Sequence, residues 1–119
     1  MRDIAPDIVR QRLLIEGYYA ADLDRAAVAG FLHGLAASLA LRAYAEPVIF
    51  SPGGEGKAGN QGYDAFLPLV DSGIAAYFWT RQRFFSVVIY TCKAFDEAAA
   101  VRFARTHLRV DGEPVTLAF

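Results

Sequence analysis

The chain has one cysteine, one tryptophan and two histidines among its 119 residues. A lone thiol forms no internal disulfide, and Cys92 with the widely spaced His33 and His107 gives no recognisable zinc-ligand pattern. Positive charge is short as well. Twelve Lys and Arg face 13 Asp and Glu, for a net charge of −1, so no basic field exists to hold phosphate backbones, and nucleic acid is not an expected partner. No uninterrupted apolar run approaches the roughly 20 residues of a membrane span, and the opening MRDIAPDIVRQR lacks the apolar centre of a signal peptide. These absences predict a cytoplasmic protein with no membrane partner.

Apolar residues are plentiful instead, at 55% of the chain with 13% aromatic. A chain of this length suits a single domain, here 1–119, burying roughly two-thirds of its unfolded surface. The apolar excess predicts one core and a further apolar face for a partner, hence an oligomer. On composition alone Cys92 reads as a buried small hydrophobe rather than a reactive thiol.

The Leu-Leu-Ile run of Arg10 to Tyr19 predicts a central strand closed by the turn AADLD. Asp22 or Asp24 then caps a helix whose Val28, Phe31, Leu32, Leu35 and Leu39 recur at helical spacing. Its stripe of Ala26, Gly30, His33 and Ala37 is small enough for a neighbour to approach closely. His33 there reads as an ordinary surface or core histidine rather than a ligand. Glu46 to Ser51 predicts a second strand with proline at its start. YDAFLPLV predicts a strand or an irregular segment. Ile74 to Trp79 and Phe84 to Thr91 predict an antiparallel hairpin about Thr80 to Arg83. A second helix begins near Asp96 with Ala98, Val101, Ala104 and Leu108 as its buried stripe and Phe103 outside it, and EPVTLAF adds an edge strand. The order β-α-β-β-β-β-α-β, with tight hairpins, predicts an α/β (α+β) two-layer sandwich, its mainly antiparallel sheet carrying two helices on one face. The other sheet face is expected to be buried in a homodimer.

Between the second and third strands, PGGEGKAGNQG holds G-x-G-x-x-G at Gly54, Gly56 and Gly59. A dinucleotide fingerprint needs a helix opening directly behind the loop, so that its amides meet the pyrophosphate. Strand-like sequence follows instead. Lys57 precedes Ala58 rather than Ser or Thr, so the phosphate-cradling P-loop fails too, and a mobile hairpin or lid loop is the better reading.

Residues 70 to 92, VDSGIAAYFWTRQRFFSVVIYTC, carry the chemistry-bearing groups. Asp71-Ser72, Trp79 seven residues on, and Tyr90-Thr91-Cys92 ending twenty residues after the serine form a pattern that resembles the small prokaryotic S-adenosylmethionine decarboxylases. There the stretch runs Glu-Ser-His, a strand, His-Thr-Trp-Pro-Glu, a turn, and a strand closing on Phe-Thr-Cys-Gly. The resemblance extends over the whole chain and implies an S-adenosylmethionine decarboxylase-like fold. It also implies a self-processing, pyruvoyl-dependent decarboxylase, a lyase of polyamine-type metabolism. In that family the serine hydroxyl attacks the carbonyl before it, the chain splits, and the serine becomes a pyruvoyl electron sink. On this chain the resemblance implies Ser72 as pyruvoyl precursor and Cys92 as proton donor; an active enzyme would further use Tyr77 or Asp71 to assist cleavage, with Trp79 and Arg81 as substrate-binding residues.

The departures change that expectation. Gly73 stands for the histidine after the serine, and Tyr77 stands for the histidine that completes self-cleavage. A phenol with a reference pKa near 10 is a poorer base at neutral pH than imidazole near 6.5. Thr80 and Arg81 replace the proline and the ribose-binding glutamate, and a cation at Arg81 repels a sulfonium. Val88 replaces an acidic residue. The leading expectation is therefore a diverged, unprocessed relative without the family's usual activity, binding a small molecule or regulating an active relative. The alternatives are an active pyruvoyl decarboxylase for S-adenosylmethionine or another amino acid, its carboxylate held by Arg81, and a non-catalytic α/β interaction module.

Overall fold

The structure is a computed structural model that describes residues 1–51, 56, 59 and 61–119. Its elements are β1 (Gln11–Tyr18), α1 (Arg25–Ser38), β2 (Val48–Phe50), β3 (Gly62–Leu69), β4 (Ser72–Trp79), β5 (Phe84–Thr91), α2 (Glu97–His107) and β6 (Val115–Ala118). The strands form one sheet in the order β2-β3-β4-β5-β1-β6, with antiparallel pairing throughout. The architecture is α+β, two helices layered on a six-stranded antiparallel sheet, as the sequence predicts. The glycine-rich segment's Gly54 and Lys57 lie outside the described residues. Among the described residues no helix is long and apolar enough to cross a membrane, and no group of three His, Cys, Asp or Glu could hold a metal ion.

Alternation along the strands divides the sheet into two faces. Leu13, Ile15, Leu67, Ile74, Ala76, Phe78, Phe85, Val87 and Ile89 point inward and meet Val28, Phe31, Leu32 and Leu35 of α1 and Ala100, Ala104 and Leu108 from α2 and its end. Asp24 is the N-cap of α1, accepting from the Ala27 amide at 2.7 Å, and Asp96 caps α2 in the same way. Pro68 is tolerated in β3 because β2 ends its pairing at Phe66. The backbone beside Pro68 is met by Tyr44, whose amide donates to the Pro68 carbonyl, so no ladder bond needs the missing N–H.

The helix pair differs from the expected stripes in two ways. Ala98 is exposed, and the buried stripe of α2 is Ala100, Ala104 and the capping Leu108, while Phe103 turns inward and packs on Phe31 with ring centroids 5.9 Å apart. Alanine gives a weak periodic signal, so the aromatic side chain decides which face of α2 is buried. The close approach on α1 falls at Gly34 rather than Gly30. A Cβ at Gly34 would lie 2.5 Å from the Phe103 ring, whereas one at Gly30 would meet nothing within 4 Å. His33 is a surface histidine paired with Glu46 at 2.9 Å.

Candidate functional site

The β4–β5 hairpin builds the centre of the site. Its turn at Thr80 to Arg83 pairs Trp79 with Phe84, and equal strand lengths carry the register down to Ser72 opposite Thr91. Cys92 is the next residue, so its side chain reaches Ser72: the hydroxyl donates to the thiol sulfur at 3.5 Å. Cys92 is exposed, which corrects the buried reading that composition favoured. The expectation failed because β5 ends one residue earlier, at the rim of the sheet, where a residue after the strand has no layer above it.

Asp71 completes the cluster through its backbone. Val70 and Asp71 form the two-residue turn between β3 and β4, and the Cys92 amide donates to the Asp71 carbonyl at 2.8 Å. Both Asp71 and Ser72 have positive φ, 75° and 147°, a region that side-chain-bearing residues rarely occupy. The peptide between them is thus held in a strained conformation with its carbonyl oxygen on an N–H donor, and the Ser72 hydroxyl beside a thiol.

Two hollows flank this peptide. On the open face of the sheet, Phe66, Ser72, Gly73, Ala75, Val88 and Tyr90 line an apolar one of about 300 Å³. Gly73 shapes it, because a Cβ there would lie 2.5 Å from the Phe66 ring, so the absence of a side chain lets Phe66 lie across β4 beside Ser72. At the end of the sheet, Ala40, Leu41, Arg42, Val70, Asp71 and Lys93 line a polar one of about 230 Å³. Its rim is tied together by the Val70 amide donating to the Arg42 carbonyl and by the bond from Cys92 to Asp71, both at 2.8 Å. Sequence reading missed Arg42, Lys93 and Phe66. The position of Lys93 directly after Cys92 was a usable signal, whereas Arg42 is an isolated charge that only the fold brings near Asp71.

The remaining expected site residues lie elsewhere on β4. Tyr77 is five residues from Ser72 along an extended strand, roughly 16 Å at about 3.3 Å per residue, and stands on the open face between Asp64 and Ser86. Trp79 is at the far end of the sheet, where its ring packs on Phe84 at 5.2 Å and Phe84 meets Tyr18 at 5.4 Å. Arg81 is exposed in the turn beyond it. Within one chain, then, Asp71, Ser72 and Cys92 come together and Tyr77, Trp79 and Arg81 do not join them. Neither histidine substitutes: His33 pairs with Glu46, and His107 stacks on Phe103 at the end of α2.

No protein-family model matches the chain, and no curated protein does. Among solved structures the chain is similar to the crystal structure of the adenosylmethionine decarboxylase from Aquifex aeolicus VF5, with a TM-score of 0.71. The two are 18% identical, over 94% of this chain and 89% of that one. The fold is therefore adenosylmethionine decarboxylase-like.

Proposed function

We propose that this chain is a diverged member of the S-adenosylmethionine decarboxylase family that keeps the bond between Asp71 and Ser72 closed, lacks the family's usual activity and binds a small molecule beside Ser72. It works as a single domain in the cytoplasm, as a homodimer closed over the open sheet face. One observation carries the reading. The hydroxyl and thiol stand together, but the cluster holds no imidazole, and Tyr77, which replaces one, branches from the backbone roughly 16 Å away along the strand. A serine hydroxyl needs a base within hydrogen-bond reach to attack a peptide carbonyl at a useful rate. The Asp71 carboxylate lines the polar hollow and makes no hydrogen bond to that hydroxyl among the described residues, so the residues present do not fit the making of a pyruvoyl group within one chain. Intact-mass analysis of the purified protein tests the proposal: one species at full chain mass is expected, and two fragments meeting between Asp71 and Ser72 would overturn it.

A second reading has its own support. Positive φ at both residues flanking the bond, and the Cys92 N–H on the Asp71 carbonyl, are the strain and the polarisation that a self-cleaving peptide would use. On that reading Ser72 is the source of a pyruvoyl group, which supplies an electron sink for decarboxylating an amino acid, and Cys92 is the proton donor nearest to it. Reductive trapping of an amine on a chain beginning at position 72 is the expected result for an active decarboxylase. Preparations with no trappable carbonyl reject it.

A further inference from the structure

We infer that the polar hollow at the end of the sheet is an anion site, and that the ligand it takes is a small monocarboxylate whose apolar, aromatic body lies in the adjoining hollow on the open face. Arg42 and Lys93 both line the polar hollow, and neither has an ion-pair or hydrogen-bond acceptor for its cationic head among the described residues. The acidic side chain in the lining is that of Asp71. Two cations against one carboxylate leave one uncompensated positive charge, which matches a single negative charge better than a phosphate dianion or a sulfonium. Arg42 adds a planar fork of donors suited to carboxylate geometry, and Lys93 adds a point charge.

The second half of the ligand follows from the other hollow. Phe66, Ala75, Val88 and Tyr90 give it apolar walls, and the polar side chains in the lining are the Ser72 hydroxyl and the Tyr90 phenol. At about 300 Å³ it stands at the lower end of the range typical of small-ligand sites and has room for an aromatic ring, which Phe66 and Tyr90 can stack or edge. Asp71 lines one hollow and Ser72 the other, so the peptide joining them is the sill between the two. A ligand reaching from the cations to the rings crosses that peptide beside the Ser72 hydroxyl. The carboxylate function expected of Arg81 is thereby transferred to Arg42 and Lys93, since Arg81 stands at the opposite end of β4. The inference rests on the closed Asp71–Ser72 bond, because the Cys92 to Asp71 bond that ties the polar rim together bears on that peptide.

Calorimetric titration tests it on full chain of confirmed intact mass, with phenylacetate, 3-phenylpropionate and 4-phenylbutyrate as probes, and with 3-phenylpropan-1-ol and inorganic phosphate beside them. At least one phenylcarboxylate is expected to bind at least tenfold more tightly than the alcohol and than phosphate. The double variant Arg42→Gln, Lys93→Gln is expected to lose at least tenfold, while Arg81→Gln binds as the parent does. Both changed side chains are solvent-exposed, and an unaltered amide spectrum away from the site checks that the double variant is folded. Equal binding of acid and alcohol, full binding by the double variant, or no binding of any phenylcarboxylate to the intact chain would each overturn the inference and leave the closed-bond reading standing. Should the purified chain prove cleaved, that reading fails by itself, and the same titrations on Ser72→Ala, which cannot form the ester, still decide the anion site.

Discussion

Asp71 and Ser72 occupy a conformation that glycine would hold at little cost. Positive φ at a side-chain-bearing residue costs about 1–3 kcal/mol, and glycine adds back about 0.4–1 kcal/mol of unfolded-chain freedom. Ser72→Gly should therefore raise stability by about 1 kcal/mol in urea unfolding, while Ser72→Ala, which keeps the strain and loses a long hydroxyl–thiol contact, should stay within about 0.5 kcal/mol of the parent. Equal stability of the two variants would mean that the backbone there carries no strain. The neighbouring Gly73 behaves in the opposite sense. Gly73→Ala should cost about 1–3 kcal/mol by driving its methyl into the Phe66 ring, and the cost should fall by more than half in a Phe66→Ala background. A double-mutant cycle with no coupling would remove Phe66 from its place over the strand. At this scale the Ser72–Cys92 pair was legible because a hairpin register is set by its turn, and Trp79 opposite Phe84 forces Ser72 opposite Thr91. The distance of Tyr77 from Ser72 was not. Five residues in sequence is near in a turn or helix and far in a strand, and residue spacing alone carries no such direction.

The turn that sets this register is held from outside the hairpin. The Arg83 guanidinium donates to the carbonyls of Tyr19, Ala20 and Ala21, at 3.3, 2.8 and 2.9 Å, and lies over the Tyr19 ring, while the Tyr19 hydroxyl donates to the Trp79 carbonyl at 3.2 Å. Arg83→Ala should cost about 2 kcal/mol, at the lower end for several charge-assisted bonds because the side chain is half-exposed, and Arg83→Lys should recover less than half of it. Thermal unfolding of the three proteins measures this, and full recovery by lysine would contradict a forked contact. Burial raises the Tyr19 phenol above its ordinary pKa of 10, against a smaller lowering by Arg83. A raised folded pKa means that the stabilisation is fully present below pH 10 and is lost as pH climbs through the folded value. Tyr19→Phe should accordingly flatten the alkaline fall in stability above pH 10 and leave its slope near neutral pH unchanged. The elements themselves were legible, since β-branched and aromatic runs fix the strands and capping aspartates fix both helix starts. The face that α2 buries was not, because alanines at 98, 99 and 100 offer three equivalent choices until Phe103 finds the notch at Gly34.

Among the described residues the sheet carries helices on one face and leaves the other without a layer, and its pairing register lines up a single apolar row over all six strands: Val48, Phe66, Ala75, Val88, Leu14 and Leu117. A face about 29 Å wide, from six strands at about 4.8 Å, and about 20 Å along them, is of the order that a stable interface of about 800 Å² per partner requires. The rows on either side carry Asp64, Glu16 and Arg12, and Ser86 donates to Glu16 at 2.8 Å, so the face can be covered without leaving that hydroxyl unpartnered. In the proposed homodimer a second copy supplies an identical apolar row across a two-fold axis, and the hollow of Phe66, Ala75 and Val88 beside Ser72 becomes a ligand cavity between the two faces rather than a filled contact. The apolar excess of the composition divides by position, most of it in the core and a smaller share on this row, a division that composition alone does not reveal. Sedimentation equilibrium at micromolar concentration should give twice the chain mass of 13.0 kDa. Val88 sits near the middle of the row and is half-buried in one chain, so Val88→Asp should leave the fold intact yet place two unpaired carboxylates in the interface, shifting dissociation by at least a hundredfold and giving monomer. Thr106→Asp, exposed on the helix layer, should remain dimeric. A parent chain that sediments as monomer, or a Val88→Asp dimer as tight as the parent, would exclude the open face as the surface where two copies meet.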